Sequence, residues 1–398
     1  MTQRNDAQQL REAVVTEVER LRPLLTGLSR QLYEHPELSL QETRSAARLQ
    51  EILAKAGFSV QPGTAGMATA FVASRRGSGE RPRIAFLAEY DALPEIGHAC
   101  GHNIIAAASL GAGLALGAIA DRLPGEVMVI GTPAEETVGG KCLMVRAGVF
   151  SDVDAALMIH PGSEWRVEVD SLACISLEVT FSGREAHAVA WPERGINALD
   201  ALIQFYIAVD ALRKRSSSQV RIPGVILEGG RRPNIVPARA VGHFTLRAPS
   251  ARERDEIREA FERAARGVAE AAGCGVSIRA TDEPYDDMVT NPVMAALFAG
   301  FLGEAGIAVV DGPRPNKGSL DMGNVSRAVP SVHPFIAICD RGTPSHSAAF
   351  ARATVTPRAE EALMTAARCL ALTGLDLLSD PGRLGAARGA FEASQQNP

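Results

Sequence analysis

The sequence predicts an α/β protein built as a larger α/β domain interrupted by a smaller ferredoxin-like α+β insert. Three observations predict it. Short apolar strand patterns alternate with helical ones from the N-terminus to about Asp170, the pattern of an α/β sheet protein. From Ser171 to Pro284 the order becomes β-α-β-β-α-β, that of a ferredoxin-like domain, and the α/β pattern then resumes. The length of 398 residues is also about twice a common domain size. The expected boundaries are 1–170 and 285–398 for the two parts of the larger domain and 171–284 for the insert.

Taken in order, leucines and valines at helical spacing (Val14, Val18, Leu21, Leu25, Leu28, Leu32) predict one amphipathic helix from Arg11 to Tyr33, stopped by His35-Pro36. A second helix is expected over Glu42–Ala56, ended by Gly57, with strands near Met67–Ser74 and Ile84–Ala88. A strongly apolar helix follows from Ile104, with Asn103 as its expected N-cap. Strands are expected over Glu126–Ile130 and Ala155–Ile159. In the insert, strands are read at 172–182, 219–228, 238–247 and 275–281, and helices at 195–213 and 252–272. Beyond it come a helix at 291–305, a polar loop at 311–324, a strand at 332–338 and a closing helix at 355–377, with the tail from Asp380 read as frayed.

Composition excludes several function classes. Hydrophobic content of 46% with 22% charged residues fits a chain with a substantial core, and a net charge of −5 with interspersed signs leaves no basic footprint for nucleic acid or an anionic membrane. The first residues lack the apolar core of a signal peptide, and the apolar run at 104–120 is Ala/Gly-rich and short for a membrane span. Six cysteines (Cys100, Cys142, Cys174, Cys274, Cys339, Cys369) without paired spacing read as reduced thiols. A cytoplasmic protein acting on a small molecule is expected.

Chemistry concentrates between the strand ending at Ala88 and the apolar helix, in Glu89-Tyr-Asp-Ala-Leu-Pro-Glu-Ile-Gly-His-Ala-Cys-Gly-His-Asn103. Asp91, His98, Cys100 and His102 crowd this loop, and a metal site is the reading weighed against a turn with buried His and Cys. Further potential ligands lie just past other strand ends: Glu135-Glu136 after the strand at 126–130, His160 after the strand at 155–159, and a late His346. Each is weak alone. Glu135-Glu136 could equally be a solvated acidic pair at a helix start, and His160 and His346 polar loop histidines.

The strings AEYDALPEIGHACGHN, GTPAEETVGGKCLMVRAGVF, MIHPG, GREAHAVAWPERGINALDA, EGGRRPNIVP and GSLDMGNVS resemble the di-metal amidohydrolases and peptidases of clan MH. They are most similar to the aminobenzoyl-glutamate hydrolase branch and the dipeptidase-like aminoacylase relatives; hippurate and indole-acetyl-amino-acid hydrolases are more distant. The resemblance runs in order along nearly the whole chain. It implies a di-metal exopeptidase-like catalytic α/β domain, with the insert serving as lid and dimerisation domain.

Residue by residue, the resemblance implies Cys100, His102, Glu136, His160 and His346 as ligands of two divalent ions, manganese or zinc, with Cys100 as a thiolate. Asp91 matches the residue that orients a ligand imidazole, and Glu135 matches the catalytic base. In the insert, His187 matches the family histidine that reaches a developing oxyanion in the neighbouring subunit, and Asn234 matches a substrate contact. The resemblance thus also implies a homodimer, with higher homo-oligomers left open. Arg247 is ranked first among arginines for a substrate carboxylate, ahead of Arg231, Arg232 and Arg314. Departures from the family pattern are Ser347 where an acidic residue is frequent, Leu320 where a small polar residue is frequent, and Trp191 after His187, which suits an aromatic acyl group.

The expected activity is metal-dependent hydrolysis of the amide of an N-acyl or N-aroyl amino acid or dipeptide-like substrate, with Glu135 as general base. The alternatives are a dipeptidase, a hydrolase of a xenobiotic amide or aryl amine, and, from another class, a non-catalytic component of a hetero-oligomer.

Overall fold

The computed structural model describes residues 2–312 and 317–396, and the chain divides into two compact units. One comprises residues 1–170, 288–317 and 321–398; the other comprises 171–287 with 318–320.

The first unit opens with α1 (Thr2–Arg20), α2 (Arg22–Glu34) and α3 (Thr43–Lys55). The single helix expected over 11–33 is therefore two, because Pro23 lacks a backbone N–H and is tolerated only in a first turn, so a new helix begins there. Then come β1 (Ser59–Pro62), β2 (Phe71–Arg76), β3 (Arg83–Ala88), α4 (His102–Ala118), β4 (Glu126–Gly131), α5 (Gly140–Arg146), β5 (Ala155–Leu157) and β6 (His160–Gly162). The strand expected at 155–159 ends at Leu157, and a separate strand in another sheet starts at His160.

The six-stranded sheet of this unit has the order β1-β2-β4-β3-β5 and ends on β11 (Ser331–Val332), introduced below. Its centre is parallel, with β3 paired to β4 and β5, while β2 and β1 are antiparallel additions at one edge. β3 and β4 are almost wholly buried, as parallel strands covered on both faces must be. The covering helix α4 is buried along nearly all its length; its Gly113 leaves room for Val129, whose Cγ2 would lie 2.2 Å from an added Cβ.

The second unit contains β7 (Ala173–Ser182), α6 (Ala198–Arg215), β8 (Gly224–Glu228), β9 (Arg239–Ala248), α7 (Ala251–Ala272) and β10 (Gly275–Ala280). Its sheet has the order β10-β7-β9-β8, antiparallel throughout, which is the ferredoxin-like arrangement. Both helices pack on the sheet over an apolar core in which Phe205 is central. Its ring lies 5.8 Å from Phe181, 5.5 Å from Phe244 and 4.8 Å from Phe261, and it is fully buried.

The chain then completes the first unit with α8 (Pro292–Glu304), α9 (Met322–Ala328), β11, β12 (Phe335–Ala337), α10 (Ala348–Ala353), α11 (Pro357–Ser379) and α12 (Pro381–Gln396). β12 pairs in parallel with β6. α11 is long and apolar enough to cross a membrane, but most of its most apolar stretch is buried in this unit. The tail read as frayed is a helix instead. Asp380 accepts from the N–H groups of Gly382 and Arg383, Pro381 occupies the first turn, and Asn291 Nδ2 donates to the Ala387 carbonyl at 2.8 Å.

Truncating Phe205 to Ala removes the ring shared by three others and is expected to destabilise the second unit by ~3–5 kcal/mol. Chemical unfolding of the full chain, followed by a probe in residues 171–287, should show that transition moving to lower denaturant.

Candidate metal centre

Parallel strands share a direction, so the carboxyl ends of β3 and β4 open on one edge of the sheet, where α/β proteins place their sites. Glu89, Tyr90 and Asp91 leave β3; Glu135 and Glu136 lie a few residues beyond β4; His160 follows β5 and begins β6.

Three local conformations aim the candidate ligands. Gly101 adopts φ 83° as the residue before α4, and a Cβ there would sit 2.6 Å from Pro161 Cγ. Only glycine therefore allows the Cys100-Gly101-His102 turn to lie against the His160-Pro161 segment. His346 itself has φ 57°, and its N–H donates to the Ala99 carbonyl at 3.0 Å, so the late histidine is tied by its backbone to the Cys-Gly-His turn. Left-handed backbone at a residue with a side chain costs about 1–3 kcal/mol and is characteristic of functional sites. Ala134, at φ 62°, is held likewise by donating to Glu42 Oε1 at 3.0 Å, which sets the direction of Glu135 and Glu136.

His102 is the pivot. Its Nδ1 lies 2.8 Å from the Asp91 carbonyl and 3.0 Å from Asp91 Oδ1, so a proton on Nδ1 serves both acceptors and leaves a lone pair on Nε2. Asp91 is fixed in turn: its Oδ2 accepts from Ser39 Oγ at 2.8 Å and from the Glu136 N–H at 3.0 Å. Asn103 is not the N-cap expected; it lies inside α4 and donates through Nδ2 to Ser29 Oγ at 2.9 Å, because the helix already starts at His102 after Gly101.

The donor atoms of Cys100, His102 and His160 lie within 4.8 Å of one another, as do those of Cys100, Glu136 and His346. Cys100 Sγ belongs to both groups and stands 2.9 Å from His346 Nε2; Glu136 Oε1 is 3.8 Å from Nε2 of both His102 and His346. A third group within the same limit is Glu89, His102 and Glu135. His102 Nε2 and Glu136 Oε1 are buried without a hydrogen-bond partner, a state that costs a few kcal/mol per group unless a cation fills it. A mixed thiol, imidazole and carboxylate set around such atoms fits divalent transition-metal ions.

Electrostatics point the same way. Burial pushes the Cys100 thiol up, and the Glu136 and Glu135 charges add to this, so the thiolate form depends on a cation beside it. Burial, then the charges of Glu89, Asp321 and Glu136, hold the Glu135 carboxyl well above the usual carboxylate range. For Glu89 burial acts upward too, but Lys141 and His102 outweigh it and keep the group ionised. His98 is buried with both ring nitrogens lacking a hydrogen bond, and burial lowers it to about 3; it lies in none of the three donor groups.

Several residues here went unassigned in the sequence. Lys141, fully buried at the start of α5, forms ion pairs with Glu89 and, at 2.8 Å, with Asp321 Oδ1; its N–H also donates to Asp321 Oδ2 at 2.9 Å. A lysine opening an otherwise apolar helix after Gly139-Gly140 was the available signal. His333 is buried with its ring 5.7 Å from that of His160, in a His-Pro pair directly before β12. Ser347, found where an acidic residue was expected, caps α10 by accepting from the Phe350 N–H.

The other predicted residues belong to the second unit. His187 is exposed and pairs by its backbone with Ile235, and the Ala188 N–H donates to the Asn234 carbonyl at 3.0 Å, so His187 and Asn234 lie on adjoining segments. Arg247 is half-buried on β9, its Nη1 donating to Ser319 Oγ at 2.9 Å, whereas Arg231 and Arg232 are exposed. Arg314 lies outside the described residues.

Replacing Asp91 by Ala removes the carboxylate that faces His102 Nδ1, leaving only the backbone carbonyl, and is expected to weaken metal binding ~10–100-fold. Competition against a chromogenic chelator measures this directly; unchanged affinity would deny Asp91 an orienting role.

Residues 174–272 match the peptidase dimerisation domain of the M20 family. The chain is 36% identical over 393 residues to the Xaa-Arg dipeptidase of Mus musculus, covering 94% of this chain and 90% of that protein. It is 35% identical over 276 residues to the B component of the p-aminobenzoyl-glutamate hydrolase of Escherichia coli K12, covering 64% of this chain and 56% of that one. Its fold matches that of a dinuclear metal binding peptidase from the M20 family of Bacillus subtilis with a TM-score of 0.68 at 21% identity, over 90% of this chain and 99% of that one. With converging thiol, imidazole and carboxylate donors at the edge of its sheet, the chain belongs to the M20 family of metal-dependent hydrolases acting on amide bonds.

Proposed function

We propose that the protein is a homodimeric hydrolase holding two divalent ions, manganese or zinc, that cleaves a linear amide joining an acyl or aminoacyl group to an amino acid. The observation that carries the two-ion reading is the pair of donor groups sharing Cys100. When bound, the ions supply positive charge that acidifies a water molecule and polarises the amide carbonyl. Glu135 takes the water proton and returns it to the departing nitrogen, a role suited to a carboxyl held above the usual carboxylate range by burial and by Glu89, Asp321 and Glu136. Asp91 holds the His102 ring throughout. His187 donates a hydrogen bond to the developing oxyanion of a substrate in the partner's site, with Asn234 on the adjoining segment contacting substrate. Arg247, preset by Ser319, is the residue favoured for a substrate carboxylate.

The substrate reading is an N-acyl amino acid, with an aromatic acyl group favoured by exposed Trp191. A dipeptide is the second reading, supported by the similarity along nearly the whole chain to an Xaa-Arg dipeptidase. Six free cysteines suit a reducing, cytoplasmic setting. The dimer is supported by the match to a dimerisation domain and by apolar groups exposed on the second unit: Val225, Ile226 and Leu227 on edge strand β8, and Ile203 and Ile207 one turn apart on α6.

A panel of N-acyl, N-aroyl and dipeptide substrates assayed with and without chelator tests the activity. Glu135→Ala is expected to keep its metal and lose turnover ~10²–10⁴-fold; loss of metal in that variant would place Glu135 among the ligands instead. Mixing His187→Ala with Glu135→Ala subunits under exchange conditions is expected to restore activity, because half of the sites in a mixed dimer then hold both residues. No recovery would refute a cross-subunit His187.

A further inference from the structure

We infer that Glu89 is an additional ligand of the ion held by His102, its other oxygen held by the buried Lys141. The inference rests on the two-ion reading above and concerns a residue to which neither the resemblance nor the comparisons give a role.

The two nitrogens of His102 face different groups. With Nδ1 committed to Asp91, Nε2 presents a lone pair, and Glu89 Oε1 stands 3.0 Å from it. Both side chains are about 1–2% exposed, and Nε2 makes no hydrogen bond despite this closeness. Two electron-pair donors at that separation, away from water, repel unless a proton or a metal ion lies between them, and Nε2 makes no hydrogen bond through which a proton would bridge them. Glu135 completes a group of three whose donor atoms fall within 4.8 Å, as compact as the two groups that share Cys100.

Lys141 explains why Glu89 can stay there as an anion. Its ammonium group binds Glu89 and Asp321 together, and Asp321 also accepts from the Lys141 backbone N–H, so the lysine is fixed at both ends. One Glu89 oxygen, Oε2, is engaged by Lys141, which leaves Oε1 directed at His102 Nε2. An ion pair with no role beyond stability would close a hydrogen bond between that oxygen and the imidazole nitrogen, and the nitrogen makes none. A carboxylate serving a metal through one oxygen and an orienting cation through the other accounts for both.

The test is metal stoichiometry and affinity of the full chain, measured by elemental analysis after dialysis and by titration with Mn²⁺ and with Zn²⁺. Glu89→Gln keeps the shape and leaves Lys141 paired with Asp321; it is expected to retain one ion per subunit and to bind the second at least ~10-fold more weakly. Asp321→Asn removes the same charge from the same network without touching the ion and is expected to retain both. Two ions of unchanged affinity in Glu89→Gln, or equal loss in Asp321→Asn, would overturn the assignment. Should Glu89→Gln fail to fold, Glu89→Asp, which keeps the charge but withdraws the oxygen by one methylene, is expected to show the same selective weakening, and unchanged affinity there overturns it equally. Wild-type protein binding fewer than two ions would refute the two-ion reading itself, a distinct result from two ions in wild type and variant alike.

Discussion

Burial of negative charge around one imidazole is the constraint on which the first unit depends. Glu89, Asp91, Glu135 and Glu136 gather about His102, with Cys100 and two more histidines within reach. Buried carboxylates are tolerated only when paired, hydrogen-bonded or bound to metal. Asp91 meets this condition through Ser39, the Glu136 N–H and His102, and Glu89 meets half of it through Lys141. On the two-ion reading the rest is met by cations from outside the chain, which makes metal affinity and stability of this edge of the sheet two views of one balance.

Much of the backbone around that edge follows from the same requirement. The parallel centre of the sheet brings the ends of β3 and β4 side by side, but a strand end alone does not aim a carboxylate or a thiol. Aiming is done by left-handed residues: Gly101 beneath Pro161, Ala134 tied to Glu42, and His346 tied to Ala99. Each is held by a contact from a different part of the chain, and their strain is sustained by the packing of the whole unit. A core substitution far from the metal could therefore alter ligand geometry before it unfolds the protein.

The fold class was legible because hydrophobic periodicity separates the apolar strands β3 and β4 from the alternating strands of the insert, and β-α-β-β-α-β order restricts the insert to few topologies. Errors fell where a single residue outweighs periodicity. Pro23 divides an otherwise continuous amphipathic pattern, and the Asp380-Pro381 cap starts a helix whose composition reads as a tail. The gathering of Cys100, His102, Glu136, His160 and His346 was implied by the resemblance of the motifs to a known family, while strand ends alone left each of them ambiguous. Glu89, Lys141 and Asp321 could not, because their importance lies in a buried ion-pair network whose members are 52 and 180 positions apart.

Glu89 and Asp91 also show how one strand end can divide two tasks. Residues two apart in an extended chain point to the same side, and the residue between them points away. Tyr90 accordingly turns into the core, fully buried and stacked on Phe71 at 6.3 Å, with its hydroxyl bonded to the Thr69 carbonyl. The two carboxylates are left on the side of His102, one facing Nδ1 and the other facing Nε2. Anchoring Tyr90 thus sets the spacing of both carboxylates, and the Glu-Tyr-Asp order reads as a core anchor flanked by two functional groups.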